Sequence, residues 1–291
     1  MAVRTKWSFL YFCMEPNKSI THLVLVFFFS SLFFSFFFIH SLGYGKIENT
    51  PCARGFDTFF GSYSVGGHHY DHTVGPDTHA MGTLFTLNEG HQQTLDLHRS
   101  TSTDGGKTRA THTFAIDQKG IYSSQMIGDD VAKQIHRHAS TTPEIPLFMY
   151  VAFTTIHTPL MVDETYIQRN QHMQGTDEIR LNAGMMTAMD EGYGTIITAL
   201  EETGLWENTI VLTFSDNGAM ISQGASNYPL RGQKMGPFEG GIRSVAFVTG
   251  GHRDVVQSAG STSHAMFHVV DVHTLALQWA SPFDNSIAQY R

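Results

Sequence analysis

Four polar residues with the chemistry to bind an oxyanion and a cation follow apolar runs of the sequence. His157 stands in Thr-Thr-Ile-His-Thr-Pro-Leu, and Asp216 and Asn217 stand in Ser-Asp-Asn-Gly-Ala. The oxygens of Asp216 and Asn217 are ligands that hard cations such as calcium prefer. Lys234, in the next loop, is a compact cation suited to sulfate or phosphate, and His157 could donate to a leaving oxygen. Together they would stabilise charge on a transferring sulfuryl or phosphoryl group.

Each of these residues also has a purely structural interpretation. Ser-Asp-Asn-Gly is an ordinary turn sequence, a histidine near a proline is often a packed loop residue, and a single lysine is often solvated. A second cluster, composed of His68, His69, Asp71 and His72, resembles a metal site. Because Gly66 and Gly67 precede it, the favoured interpretation of this cluster is a polar loop that becomes charged in acid.

Three apolar runs predict the strands that position these residues. Residues 147–153 are continuously apolar, which is typical of a strand covered on both faces. Residues 209–214 and 243–248 predict a second and a third strand. Residues 120–138 and 179–200 have helical periodicity. This order predicts an α/β fold with a mostly parallel sheet flanked by helices. Ligands of such sheets bind beyond the carboxyl ends of the strands, where His157 and Asp216 are expected.

The rest of the chain is predicted to contain one irregular segment and a last helix, beside the long helix over residues 179–200. Residues 61–112 are rich in Gly, His, Thr and Asp and show little periodicity, which indicates a long irregular surface excursion. The predicted helix over residues 179–200 has apolar residues at steps of three and four, and we expect them to form its buried face. They are Ile179, Ala183, Met186, Met189, Tyr193, Ile196 and Leu200. Residues 267–280 are expected to form a last helical segment.

The composition describes a mildly acidic globular chain. Its 291 residues carry a formal net charge of −8, so there is no basic excess for binding nucleic acid. The hydrophobic content of 41% argues against disorder. Cys13 and Cys52 cannot build a disulfide scaffold, and no Cys-x-x-Cys zinc pair occurs. The 17 histidines could make the chain cationic in an acidic compartment.

The first 42 residues differ in composition from the rest. Residues 23–39 begin with Leu23, end with Ile39 and contain no charged residue. They reach the lower limit for a membrane-spanning helix, and basic residues precede them. We expect residues 1–42 to be either a hydrophobic signal or anchor segment, with membrane contact through residues 23–39, or a mis-annotated leader translated from non-coding sequence. Residues 43–291 are then a partial catalytic domain.

Six runs from about residue 42 to residue 280 resemble the sulfatase family, most closely its arylsulfatase B-like group. The last is a weaker match. In chain order they are TPCARGFDTFFGS (50–62), GIYSSQM (120–126), PLFMYVAFTTIHTPL (146–160), FSDNGA (214–219), SNYPLRGQKMGPFEGGIR (226–243) and FHVVDVHTLALQWA (267–280).

The resemblance implies an alkaline phosphatase/sulfatase-like fold and hydrolysis of aryl or glycosaminoglycan sulfate esters. It implies that Asp216 and Asn217 are two of the calcium ligands. It also implies that Lys234 contacts the sulfate ester and that His157 contacts the sulfate and the leaving oxygen. Members of the family are lysosomal or secreted, and they use a formylglycine made from the cysteine of a Cys-x-Pro-Ser-Arg motif.

The sequence departs from the family pattern at several of these positions. It contains no Cys-x-Pro-Ser-Arg motif, no aspartate pair before residue 50 and no Lys-x-His before residue 42. The usual carboxy-terminal subdomain is not matched either. We therefore expect a partial domain with half the metal ligands, an exposed central sheet edge and no turnover. The alternatives are a non-catalytic module that binds sulfated glycans in acid, and a non-functional truncated product.

Overall fold

A computed structural model describes residues 22–28, 46–64, 66–75, 93–103 and 110–280. Its strands, in chain order, are β1 (His22–Phe28), β2 (Thr58–Gly61), β3 (Thr73–Val74), β4 (Thr94–Leu95), β5 (His98–Thr101), β6 (Thr111–Phe114), β7 (Phe148–Phe153), β8 (Thr209–Ser215) and β9 (Ala246–Thr249). Its α-helices are α1 (Ser123–Thr141), α2 (Glu164–Arg169), α3 (Asp177–Glu202), α4 (Glu239–Ile242), α5 (Arg253–Gln257) and α6 (Asp271–Ala280).

The main sheet has the strand order β7-β1-β8-β9. Strand β1 runs parallel to both neighbours, with Leu23 opposite Phe148 on one side and opposite Ile210 on the other. Strand β9 runs antiparallel to β8. The reversal follows from the connection: the chain leaves β8 and returns at the same edge, where the Ser215 amide donates to Val245. The predicted α/β fold with a mostly parallel sheet is confirmed.

Strand β1 corrects one expectation from the sequence. The departures from the family pattern led us to expect a missing first strand and an exposed central sheet edge. Instead, the first residues of the apolar run form the strand that lies between β7 and β8. Val24 is fully buried there. A continuous apolar run is equally typical of a central parallel strand and of a membrane span, because both are apolar on every side.

Residues 29–45 lie outside the described part of the chain, and the division at residue 42 stays a prediction. No helix among the described residues is both long and apolar enough to span a bilayer.

Helices α1 and α3 pack closely against each other on the sheet, and two glycines allow this approach. A Cβ atom on Gly128 would lie 2.6 Å from the Gly192 carbonyl oxygen, and one on Gly192 would lie 2.5 Å from the Ser124 carbonyl oxygen. The predicted buried stripe of α3 is right at Met189, Ile196 and Leu200. It is wrong at Met186, which is 43% exposed, while Met185 is fully buried. Helical periodicity counts only apolar residues and ignores contacts made by glycine.

Residues 61–112 are more ordered than expected in their described part. Strands β2, β5 and β6 form an antiparallel sheet, and β3 pairs with β4. Leu97, between β4 and β5, is fully buried in the main core. The prediction of an irregular surface excursion is wrong for these strands. The strands are two to four residues long and rich in Thr, His and Arg, so no apolar alternation marks them.

The final helix lies within the segment predicted to be helical. Helix α6 buries Val272 and Ala276 in a second apolar cluster with Ile210, Leu212 and Phe214 of β8. The opposite face of β8 contributes to the larger core through Val211, which packs with α1 and α3. The sheet is therefore covered on two faces at β8, and the carboxyl end of that strand is held rigidly at the edge where Asp216 follows.

Candidate functional site

The carboxyl ends of the parallel strands meet at one edge of the sheet. Phe28, the last residue of β1, lies opposite Phe153 of β7 and Ser215 of β8. His157 follows β7 by four residues, and Asp216 follows β8 directly. The topology therefore brings these segments to the edge at which the sequence predicted a ligand site.

Hydrogen bonds hold His157 in one orientation and use only one of its two ring nitrogens. Its side chain is buried, its backbone amide donates to Thr154 (3.1 Å), and its Nδ1 lies 2.6 Å from the Thr158 carbonyl oxygen. Because a carbonyl oxygen only accepts, Nδ1 carries the proton and Nε2 presents a lone pair. Among the described residues Nε2 has no hydrogen-bond partner. Burial, with a smaller effect of the charge on Lys234, lowers the pKa of His157 to about 4.

Lys234 is a buried cation within electrostatic range of His157. Only 5% of the residue is exposed. Burial lowers the pKa of its ammonium group to about 8, and the carboxylate of Asp216 partly opposes that shift. Lys234 thus interacts electrostatically with both His157 and Asp216. A lysine that is positively charged at neutral pH, and that interacts electrostatically with a neutral imidazole, is suited to hold one oxygen of an anionic group.

Asn227 fixes the loop that carries Lys234, although no sequence motif had singled it out as a site residue. Its Oδ1 accepts from the Ala219 amide (2.8 Å), and its Nδ2 donates to the Ala219 carbonyl oxygen (2.9 Å). The Lys234 amide donates to the same carbonyl oxygen (3.1 Å). One side chain therefore ties the turn after β8 to the loop of Lys234. Its only sequence signal is its place in the run SNYPLRGQKMGPFEGGIR.

Gly218 lets the turn after β8 approach the start of helix α4. Its amide donates to the Gly241 carbonyl oxygen (2.9 Å), and an added Cβ would lie 1.9 Å from the carbonyl oxygen of Gly240. No side chain larger than hydrogen fits there. This contact sets the direction in which Asp216 and Asn217 leave the strand.

The histidine cluster at residues 68–72 is not a metal site in the described structure. His69 bonds to Ser123 and to the His157 carbonyl oxygen, and His72 bonds to the Gln118 carbonyl oxygen. His68 accepts from the amides of Tyr70 and Asp71. Among the described residues, no group of three or more His, Cys, Asp or Glu side chains is placed to hold a metal ion. The imidazoles are used in separate hydrogen bonds, so the metal interpretation is wrong for this cluster.

The described residues do not by themselves fit a calcium ion. Asp216 and Asn217 offer one carboxylate and one amide oxygen after strand β8, whereas calcium takes six to eight oxygen ligands. No group of three or more His, Cys, Asp or Glu side chains that could hold the ion occurs among the residues that the structure describes. The assignment of Asp216 and Asn217 as calcium ligands stays a prediction, and no chemical step is derived from a metal.

Cys52 is unsuited to nucleophilic chemistry. It is fully buried. Burial, assisted by the charge on Asp57, raises the pKa of its thiol to about 11. The reactive form of a cysteine is the thiolate, so Cys52 is a core residue. Cys13 lies outside the described residues.

Solved structures place the molecule in a class. The chain is similar to the crystal structure of Ps i-CgsB in complex with k-i-k-neocarrahexaose, with a TM-score of 0.64, 20% identity and coverage of 92% of this chain and 53% of that one. It is also similar to the PsFucS1 sulfatase from Pseudoalteromonas sp., with a TM-score of 0.57, 20% identity and coverage of 92% and 50%. The fold is the α/β fold of sulfatases.

The sequence places the chain in a family. The family model Sulfatase matches residues 27–281, and the chain belongs to the sulfatase family. It is 31% identical over 230 residues to mouse arylsulfatase J, covering 79% of this chain and 34% of that protein. It is 26% identical over 245 residues to human N-acetylgalactosamine-6-sulfatase, covering 81% and 41%. The chain thus spans less than half the length of these curated relatives.

Proposed function

We propose that the edge of the sheet that carries His157 and Lys234 binds the sulfate group of an aryl or glycosaminoglycan sulfate ester, and that the chain derives from an arylsulfatase B-like sulfuric ester hydrolase. The observation that carries this proposal is the buried pair of the Lys234 ammonium and the unpartnered Nε2 of His157 among the described residues. A buried cation is stabilised by anionic partners, and a sulfate oxygen can serve as one in addition to the Asp216 carboxylate.

The tautomer of His157 determines how it takes part. With the proton on Nδ1, the Nε2 lone pair repels a sulfate oxygen, which is itself only an acceptor. His157 can therefore donate to a sulfate oxygen or to a leaving oxygen only after Nε2 takes up a proton. Lys234 supplies one positive charge to the bound sulfate, and protonated His157 supplies a second. Sulfate binding is then accompanied by proton uptake.

For this chain we propose binding without turnover. The family's nucleophile comes from a Cys-x-Pro-Ser-Arg cysteine, and neither Cys13 nor Cys52 has that context. A chromogenic aryl sulfate at pH 5 tests this part of the proposal. Turnover that is abolished by Lys234→Ala would show that the chain is an active sulfatase.

The proposed sulfate site predicts a specific response to loss of Lys234. Lys234→Met keeps most of the side-chain volume and removes the charge, so the affinity for inorganic sulfate should fall roughly tenfold or more. Lys133→Met, at an exposed position on α1, is the matched control and should leave the affinity unchanged. Isothermal titration calorimetry measures both variants. Equal affinity of the wild type and Lys234→Met would contradict the proposal.

The same site predicts a pH dependence of sulfate binding. Because the pKa of His157 in the free protein is about 4, its protonated fraction rises by up to about tenfold for each pH unit between pH 7 and 5.5. Sulfate affinity should rise in that direction, with uptake of one proton, in the wild type. In His157→Gln the dependence should be lost. Titrations in buffers of different ionisation enthalpy count the protons.

A lysosomal or secreted location, by analogy with the family, belongs to the same proposal. The alternative of a glycan-binding module that gains charge below about pH 6.5 gets no help from His69 and His157, because burial lowers both pKa values to about 4. Heparin binding that strengthens below that pH in His157→Gln would favour the alternative.

A further inference from the structure

We propose that His69 is a positioning residue for His157: it fixes the backbone of the loop in which His157 presents Nε2 to the bound anion. This inference rests on the proposed function only for the identity of the ligand. It assigns a role to a histidine that a metal interpretation had singled out and that the sulfate site does not use directly.

The contacts of His69 define its hydrogen-bonding form. Its Nε2 lies 3.0 Å from the His157 carbonyl oxygen, and its Nδ1 lies 2.8 Å from the Ser123 hydroxyl oxygen. The carbonyl oxygen only accepts, so Nε2 carries the proton. Nδ1 then accepts from the Ser123 hydroxyl. His69 is 2% exposed, and burial keeps it neutral by lowering its pKa to about 4.

The His69 imidazole joins the start of α1 to the loop that carries His157, two segments that are distant from it in sequence. The Ser123 amide also donates to the His69 carbonyl oxygen (2.9 Å), so the first residue of α1 binds His69 through both backbone and side chain. Next to it, the Ser124 hydroxyl lies 2.5 Å from the hydroxyl of Thr155, two residues before His157. The amino-terminal turn of α1 thus holds both His69 and the segment that leads to His157.

His69 completes the fixation of His157. The His157 amide is bound to Thr154 and its imidazole Nδ1 to Thr158. The remaining backbone group, the carbonyl oxygen, is the one that accepts from His69. Without that donor a buried carbonyl loses its partner, and the peptide unit is free to turn. The Nε2 lone pair would then no longer keep one direction relative to Lys234.

Two substitutions separate the two hydrogen bonds of His69. Glutamine places its amide donor near the position of Nε2, so His69→Gln should keep the bond to His157. Asparagine reaches only as far as Nδ1, so His69→Asn should keep the contact with Ser123 and lose the bond to His157. Ser123→Ala removes the hydroxyl that holds the tautomer and serves as a milder variant if His69→Asn does not fold.

The control is His72, which is similarly buried at 5% exposure and donates to a carbonyl oxygen, that of Gln118 (3.1 Å). His72→Asn also removes a buried imidazole donor, but it leaves the hydrogen bond to the His157 carbonyl oxygen in place. The measurements are the dissociation constant for inorganic sulfate and the imidazole nitrogen shifts of His157 in the full chain without sulfate.

We expect His69→Asn to weaken sulfate binding roughly tenfold, with His69→Gln close to the wild type and Ser123→Ala in between. In His69→Asn, the His157 signals should move from the Nδ1–H form toward a mixture of tautomers, whereas His72→Asn leaves them in place. Equal effects of His69→Asn and His72→Asn on the His157 signals would overturn the inference. If the wild type binds no sulfate, the proposed function fails, and the nitrogen shifts alone decide on the positioning role.

Discussion

At the scale of single residues, the loop around Lys234 is under local backbone strain. Met235, the next residue, has a φ of 72°, in the left-handed region. The Gly236 amide donates to the Gln233 carbonyl oxygen (3.0 Å), so Met235 is the third residue of a tight turn. That position commonly takes glycine, because a side chain there costs free energy. The hydrogen bonds from Lys234 and Asn227 to Ala219 hold the turn in place.

Replacing Met235 with glycine should relieve this strain. Met235→Gly is expected to raise the free energy of unfolding by about 1 kcal/mol, since glycine reaches the left-handed region without a steric penalty. Met235→Ala, which removes the side chain but keeps the Cβ, should give no gain. Urea unfolding measures both. A stabilised Met235→Ala would show that exposure of the Met side chain, and not the backbone, is the cause.

At the scale of elements, the crossing of α1 and α3 sets how the sheet is covered. Periodicity predicted that α3 packs through the face that carries Met186. In the structure Met186 is exposed, and α3 contacts α1 through Gly192 instead. The close crossing also fixes the first turn of α1, whose Ser123 and Ser124 bind His69 and Thr155. Helix packing thereby contributes to the geometry of the candidate site.

Two glycines of α3 should respond in opposite directions to the same substitution. Gly192→Ala should lower the free energy of unfolding by roughly 1–3 kcal/mol, because the new Cβ meets the Ser124 carbonyl oxygen at 2.5 Å. Gly194→Ala, exposed and with no atom within 4 Å of its Cβ, should raise it by about 0.5–1 kcal/mol through helix propensity. Thermal or urea unfolding of the pair provides the comparison. If both variants are more stable than the wild type, α1 and α3 do not approach each other as closely at Gly192 as the structure indicates.

At the scale of the whole molecule, burial removes several histidines from the set that gains charge in mild acid. The 17 histidines suggested a chain that becomes cationic in acid. Burial instead lowers the pKa values of His22, His69 and His157 to about 4. His22 is 3% exposed, accepts from the Leu147 amide and stacks edge-on against His138. In mild acid these groups stay neutral while the protein is folded.

Stability should therefore fall as the pH falls. In the unfolded chain these histidines titrate near the ordinary value of about 6.5, so below that pH the unfolded state binds more protons. The stabilisation is complete above pH 6.5 and decreases toward pH 4, by roughly 1.4 kcal/mol per pH unit for each buried histidine. Urea unfolding without sulfate at pH 7 and pH 5.5 measures the loss. His22→Gln should reduce the slope, and an unchanged stability between the two pH values would contradict the burial of these groups.

The sequence by itself determined the strands at residues 147–153 and 209–214, the two long helices and the family, because apolar runs, periodicity and motifs are local. It also placed His157 and Asp216 after strands whose carboxyl ends meet. Only the tertiary structure decided that the apolar run at residue 23 supplies the central strand and that His69 binds a residue 88 positions away. These depend on sheet order and on hydrogen bonds between distant segments, and no local pattern encodes which donor meets which acceptor.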